Sequence, residues 1–318
     1  MASTADCSRL VAMRVRFVVV VAVLGLVACH KGEGAHGQPT PLTTKNLRAV
    51  WGLGPADVWA AGDHGTILHF DGRAWAFSPS GTEESLTSIT GTGPTNVYAS
   101  GEKGAILHWD GKGWRQVSDG ADTSLAHMWA SGPDDVWAVG VDNDSEGGTM
   151  RRWNGTKWES QDISGSSSLW GVGGTGPTDV WMVGNNSKGE GYVIHGDGKH
   201  FDANGYKGPP VRAVWCARPD DVWVAPYEGA LRHWNGTAWT TATTPDGPWF
   251  RLGGSSPDDV WAVGANGLTM HLHAGAWTTQ ATGTNQIVWS VWSSSPASAW
   301  AVGNGGAQLL WNGTTWSR

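Results

Sequence analysis

Cysteine is scarce in this chain, with 3 residues in 318. Cys7 and Cys29 lie in the leading segment and Cys216 stands alone, which excludes a scaffold held by internal disulfides. Charged side chains are also sparse, at 15%, and lysine is rare among them. Long helical periodicity is absent, so a helical bundle is excluded. No apolar run reaches the roughly 20 residues that a membrane-spanning helix requires. The longest, FVVVVAVLGLVA, covers only residues 17–28. There is no P-loop, no H-E-x-x-H and no paired C-x-x-C. What the chain does have is 47 glycines and 23 tryptophans, far above ordinary usage. That pairing points to many short strands joined by tight turns.

The leading segment reads as an export signal. Arg14 and Arg16 form a basic flank before the short apolar run, and small residues close it. Met1 and Met13 both fit as the start, since 13–29 makes a complete signal by itself. Leu26-Val27-Ala28-Cys29 resembles the lipobox of bacterial lipoproteins. The resemblance implies a signal peptide over 1–28, cleavage before Cys29, and a diacylglyceryl group on its thiol. Two or three acyl chains anchor stably where one is marginal. His30, rather than Asp, after that cysteine implies delivery to the outer membrane or cell surface. Residues 29–46 then form a lipidated tether, rich in Gly, Pro and Thr. Loss of Asp6, Arg9, Arg14 and Arg16 leaves 18 basic against 27 acidic residues. That excess of acid excludes a nucleic-acid partner and leaves the lipid anchor as the expected contact with membrane.

The remainder, 47–318, is one pattern repeated seven times. Its first copy is LRAVWGLGPADVWAAGDHGTILHFDGRAW. The aromatic of the D-V-W element recurs at Trp59, Tyr98, Trp137, Trp181, Trp223, Trp261 and Trp300. A period of about 40 residues built of strand-like pieces marks a propeller blade. Each copy predicts four strands. A Gly-Pro-x-Asp type turn follows the first, and Asp-Gly or Asn-Gly joins the third and fourth. The fold class is therefore all-β: a seven-bladed β-propeller with four antiparallel strands per blade. Nearly all tryptophans fit columns of this repeat, with Trp249 and Trp289 left over. They are expected to pack blade against blade. Cys216, in place of a repeat glycine, is expected to be a small filler. Closure of the ring is open between pairing of residues 38–46 with the last outer strand and packing alone.

The D-V-W-A-V-G…I-L-H-W-D-G-x-x-W pattern resembles bacterial propellers with BNR-like (Asp-box-like) repeats. These include sialidase-type and photosystem II assembly-factor-type proteins. The D-G-x-x-W element sits where the Asp-box lies in that family, without its Ser and its D-x-G spacing. The resemblance implies the propeller architecture; fold alone does not fix function.

Candidate site residues come from departures from the repeat. His69, His108, His195, His233 and His271 recur in one column of separate blades. They are too far apart to share an ion and are expected to be structural. Asp142, Asp144 and Glu146, followed by Gly147, resemble the start of a calcium loop, although Trp153 stands where the closing Glu belongs. Calcium is the one cofactor considered; otherwise none is expected. The starts of the first strands should line one mouth of the central channel. Arg48, Thr87, His127, Arg212, Arg251 and Trp289 are placed there, and the arginines from blades one, five and six would meet a carboxylate. Tyr227 and Glu228 replace the usual glycine loop of blade five. The expectation is a monomeric, non-enzymatic scaffold that binds a surface protein or glycan through the loops of one face, with Arg48, His127, Arg212, Tyr227, Glu228 and Arg251 as the candidate ligand-binding set. The alternatives are a sialidase-like glycoside hydrolase, with Asp63 as acid and Tyr227 as nucleophile, and a purely structural envelope protein.

Overall fold

The computed structural model describes residues 42–318, apart from 119–121, 144–146 and 164, with backbone only at 161 and 162. The chain divides into two units, Met1–Gln38 and Pro39–Arg318. The description falls within the second. The signal peptide, Cys29 and the tether up to residue 41 lie outside the described residues.

Twenty-eight strands form seven four-stranded antiparallel sheets, each built from consecutive strands. Blade one contains β1 (Leu47–Gly54), β2 (Asp57–Gly62), β3 (Ile67–Phe70) and β4 (Trp75–Phe77). The first strands of the other blades are β5 (Leu86–Gly93), β9 (Thr123–Gly132), β13 (Ser166–Gly176), β17 (Val211–Arg218), β21 (Trp249–Ser256) and β25 (Val288–Ser295). Each packs against its neighbours, and β25 returns to β1, so these seven strands form the inner wall of a closed ring.

Burial follows from the period of the strands. In the second strands, D-V-W-A-V-G or a close variant, both faces are covered by adjoining blades and almost every residue is buried. Each hydrophobic cluster spans two neighbouring blades. One joins Trp59 and Ile67 of blade one to Leu86, Val97 and Leu107 of blade two. The recurrent histidines sit in the third strands and serve their own blade. His69, His195, His233 and His271 donate from Nε2 to Asp57, Asp179, Asp221 and Asp259 over 2.6–2.8 Å. Each ring stacks on the tryptophan of the same second strand, as in Trp261–His271 at 3.8 Å between centroids. Blade two keeps the geometry with His108 on Asn96 and Tyr98. Blade three keeps it with Arg152 on Asp135, its guanidinium 4.5 Å over Trp137.

Closure is by packing. The last outer strand, β28 (Trp316–Ser317), pairs with β27 (Gln308–Trp311) of the same blade, and among the described residues no strand is exchanged across the seam. Leu47, Val50 and Leu68 of blade one bury Trp300 and Val302 of blade seven. Asn46 adds a polar bridge. Its Nδ2 donates to Asp63 of blade one, and its Oδ1 accepts the Gly305 N–H of blade seven.

Candidate functional site

All seven inner strands share one irregularity near their start, besides others nearer the turn. In blade one Leu47 pairs with Gly62 and Ala49 with Ala61, so Arg48 is a bulged residue. The same break falls at Thr87, Ala126, Trp170, Arg212, Phe250 and Trp289. A bulge turns its side chain out of the sheet's alternation. Here it aims one residue per blade into the channel mouth, and these seven residues with Arg251 line a cavity of about 150 Å³. The starts of the first strands lie beside the ends of the second strands, so the mouth shares a face with the loops that join second to third strands.

This register corrects the sequence alignment in two blades. His127 and Arg251 are not equivalent to Arg48; Ala126 and Phe250 are. His127 and Arg251 fall in the next column, with Ala49, Ser88, Gly171, Ala213 and Ser290. That column ties blades together. Ser290 Oγ accepts the Val50 N–H, Ser88 Oγ accepts Met128 N–H, and His127 Nδ1 accepts Val172 N–H at 3.2 Å. His127 is thus a strut between blades three and four. Burial, the nearby Arg251 charge and this bond set its protonation, and burial dominates, holding its pKa well below the usual histidine value.

The three arginines meet different fates. Arg48 forms an ion pair with Asp63 and lies over Trp289. Arg212 is held between Trp170 and Tyr227, with its guanidinium 4.5 and 4.9 Å from the two ring centres. Its Nε is buried without a hydrogen-bond partner, and burial pulls its pKa down. Arg251 makes no hydrogen bond or ion pair among the described residues. Burial and then repulsion from Arg212 pull its pKa down to about 10. The mouth therefore holds two guanidinium charges with no carboxylate to balance them, and none of its lining residues is acidic.

The remaining candidates are less central. Glu228 and Tyr227 are exposed on the same face. Asp63 is engaged through both oxygens, by Arg48 and Asn46. Asp142 donates its backbone N–H to the Gly147 carbonyl, whereas Asp144 and Glu146 lie outside the described residues. Among the described residues no group of three His, Cys, Asp or Glu could hold a metal. Sequence reasoning missed Trp170 and Phe250, although L-W-G and W-F-R set against L-R-A place both opposite Arg48: it takes Arg251 in blade six, one residue too late, and no residue in blade four. It also counted Trp170 as a packing tryptophan.

No protein-family model matches this sequence, and no curated protein matches it either. Solved structures do. A structure of YCF48 bound to a D1 peptide superposes with a TM-score of 0.67 at 18% identity, over 86% of this chain and 93% of that one. YCF48 from Cyanidioschyzon merolae gives 0.66 at 14% identity, over 86% and 97%. The WD40 propeller domain of Doa1 gives 0.68 at 12%, over 84% and 92%. At such identities the likeness is one of fold, and the fold is the seven-bladed β-propeller.

Proposed function

We propose that this protein is a non-enzymatic, cell-surface lipoprotein, anchored through Cys29, whose propeller binds a protein partner at the arginine-bearing channel mouth. The observation that carries the reading is the pair Arg212 and Arg251, two half-buried guanidinium groups at the channel mouth with no counter-ion among the described residues. Desolvating a charge costs several kcal/mol unless a partner arrives, roughly. A carboxylate of the partner would supply both the charge and the bidentate geometry that guanidinium groups favour. Trp170, Phe250 and Trp289 around them give the rigid aromatic area that anchors interfaces. YCF48, similar in fold, has been solved with a peptide bound, in keeping with a polypeptide ligand.

A sialidase-like hydrolase works with a tyrosine nucleophile and a free carboxylic acid beside it. The lining of the mouth carries no carboxyl group, Asp63 is already committed to Arg48 and Asn46, and Tyr227 lies against the Arg212 guanidinium. Binding is the better reading for that reason.

The test is cross-linked capture from the cell envelope. The intact protein should retain a partner that an R212Q/R251Q variant loses. Equal capture by both would contradict the assignment. For the anchor, Cys29→Ala should abolish labelling by radioactive palmitate, and persistent labelling would refute lipidation there.

A further inference from the structure

Below the mouth the channel continues as a second cavity of about 180 Å³. Its walls are Trp51, Trp129, Trp215 and Trp292, all half-buried, from the inner strands of blades one, three, five and seven. The three intervening blades carry Thr90, Gly173 and Gly253 at that place and leave open space between the rings. No carboxylate lines this cavity. Arg251 is the only residue that lines both it and the mouth.

The column to which Arg251 belongs makes it stand out. Its other polar members, Ser88, His127 and Ser290, each accept an N–H of the next blade. A guanidinium has only donors and cannot take that role. Packing does not require it either, since Ala49, Gly171 and Ala213 fill the column elsewhere. Among the described residues this half-buried arginine has no hydrogen-bond or ion-pair partner.

Resting on the reading of the mouth as a carboxylate site, we infer that the channel takes a flat apolar group joined by a short link to that carboxylate. The ligand is an arylalkyl carboxylate. Its carboxylate sits on Arg251 at the junction of the cavities, with Arg212 beside it, and its ring lies among the four tryptophans. The size agrees, because an apolar cavity of roughly 150 Å³ accommodates one benzene ring. Edge and face contacts between a ligand ring and the indoles add to its burial. The same chemistry is offered by a free aromatic acid and by a polypeptide ending in an aromatic residue.

Calorimetric titration of the intact protein tests this. The probes are 3-phenylpropanoate, propanoate, 3-phenylpropanamide, and a short peptide ending in phenylalanine in free-acid and amidated forms. 3-Phenylpropanoate should bind at least tenfold more tightly than either propanoate or the amide, and R251Q should weaken it at least tenfold. A second variant, T90W/A130G, fills one open side of the channel in the Trp-on-Gly manner of the neighbouring blades. It should weaken 3-phenylpropanoate and leave partner capture at the mouth intact. Tighter binding of the free-acid peptide than its amide assigns the group to a chain terminus. Binding of the small acid alone assigns it to a free metabolite of that class. Equal affinity for propanoate and 3-phenylpropanoate, or no heat from either, overturns the inference. If capture still depends on Arg212 and Arg251 in that case, the channel claim falls alone.

Discussion

Arg251 and His127 occupy one column of the inner wall and do opposite things. His127 accepts a backbone N–H and is kept neutral by burial. Arg251 carries a charge that no ion pair balances among the described residues, with Arg212 nearby. Removing an uncompensated charge relieves the folded state, whereas removing a structural arginine weakens it. Arg251→Gln should therefore raise the urea midpoint of the unliganded protein. A lowered midpoint would mean that the side chain is structural. For His127 the sign runs the other way. Its folded pKa is depressed, so below about pH 6.5 the unfolded chain takes up a proton that the folded chain refuses. Stability should fall as pH drops from 7 to 5, by no more than about 1.4 kcal/mol per pH unit for one histidine. His108 is lowered by burial too and contributes in the same window. His127→Gln, which keeps an acceptor for Val172, should flatten the decline in urea midpoint, and an unchanged slope would contradict the account.

Between neighbouring blades the sequence obeys a pairing rule that becomes visible only with the register in hand. Trp292 lies over Gly52, Trp51 over Gly91, Trp129 over Gly174 and Trp215 over Gly254, each crossing to the next blade. Where the preceding blade has Thr90, Gly173 or Gly253 instead, the next blade carries Ala130, Cys216 or Ser293. Cys216 is such a filler, but it also lines the channel. A Cβ on Gly52 would come within 2.8 Å of the Trp292 ring. Gly52→Ala should cost about 1–3 kcal/mol in chemical denaturation, typical of overpacking. A neutral result would mean that the indole gives way freely. The Asp–His–Trp triads should differ by burial. Asp259 and His271 are 0% and 5% exposed, and Ser255 and Ser293 also donate to that carboxylate. Asp57 and His69 are both 34% exposed. Asp259→Ala should thus cost about 3–5 kcal/mol as a broken buried pair, and Asp57→Ala about 1 kcal/mol or less. Equal losses would show that burial does not set the strength of the triad.

At the scale of the whole molecule, the blade number, strand count and turn chemistry were all legible, because the repeat states them seven times. The shared face of the mouth and the variable loops follows from antiparallel pairing alone. What the repeat hid was the bulge. A gapless reading of L-R-A-V-W against L-A-H-M-W already sets Ala126 opposite Arg48 and His127 opposite Ala49, but only the bulge shows that the Arg48 column, with Trp170 and Phe250, faces the mouth while His127 and Arg251 lie a step deeper. Nor does a sequence reveal which arginine has found its carboxylate. Arg48 and Arg212 stand in the same column, yet only Arg48 has an aspartate within reach. That difference leaves a mouth with net positive charge on a protein that is acidic overall, at −7. A ligand drawn to it is selected by the local field rather than by total charge. The most direct measurement is a crystal structure of the protein with 3-phenylpropanoate. The account predicts a carboxylate within hydrogen-bond distance of Arg251, with the ring among Trp51, Trp129, Trp215 and Trp292. A ligand found only on the outer surface, with Arg251 still unpaired, would contradict it.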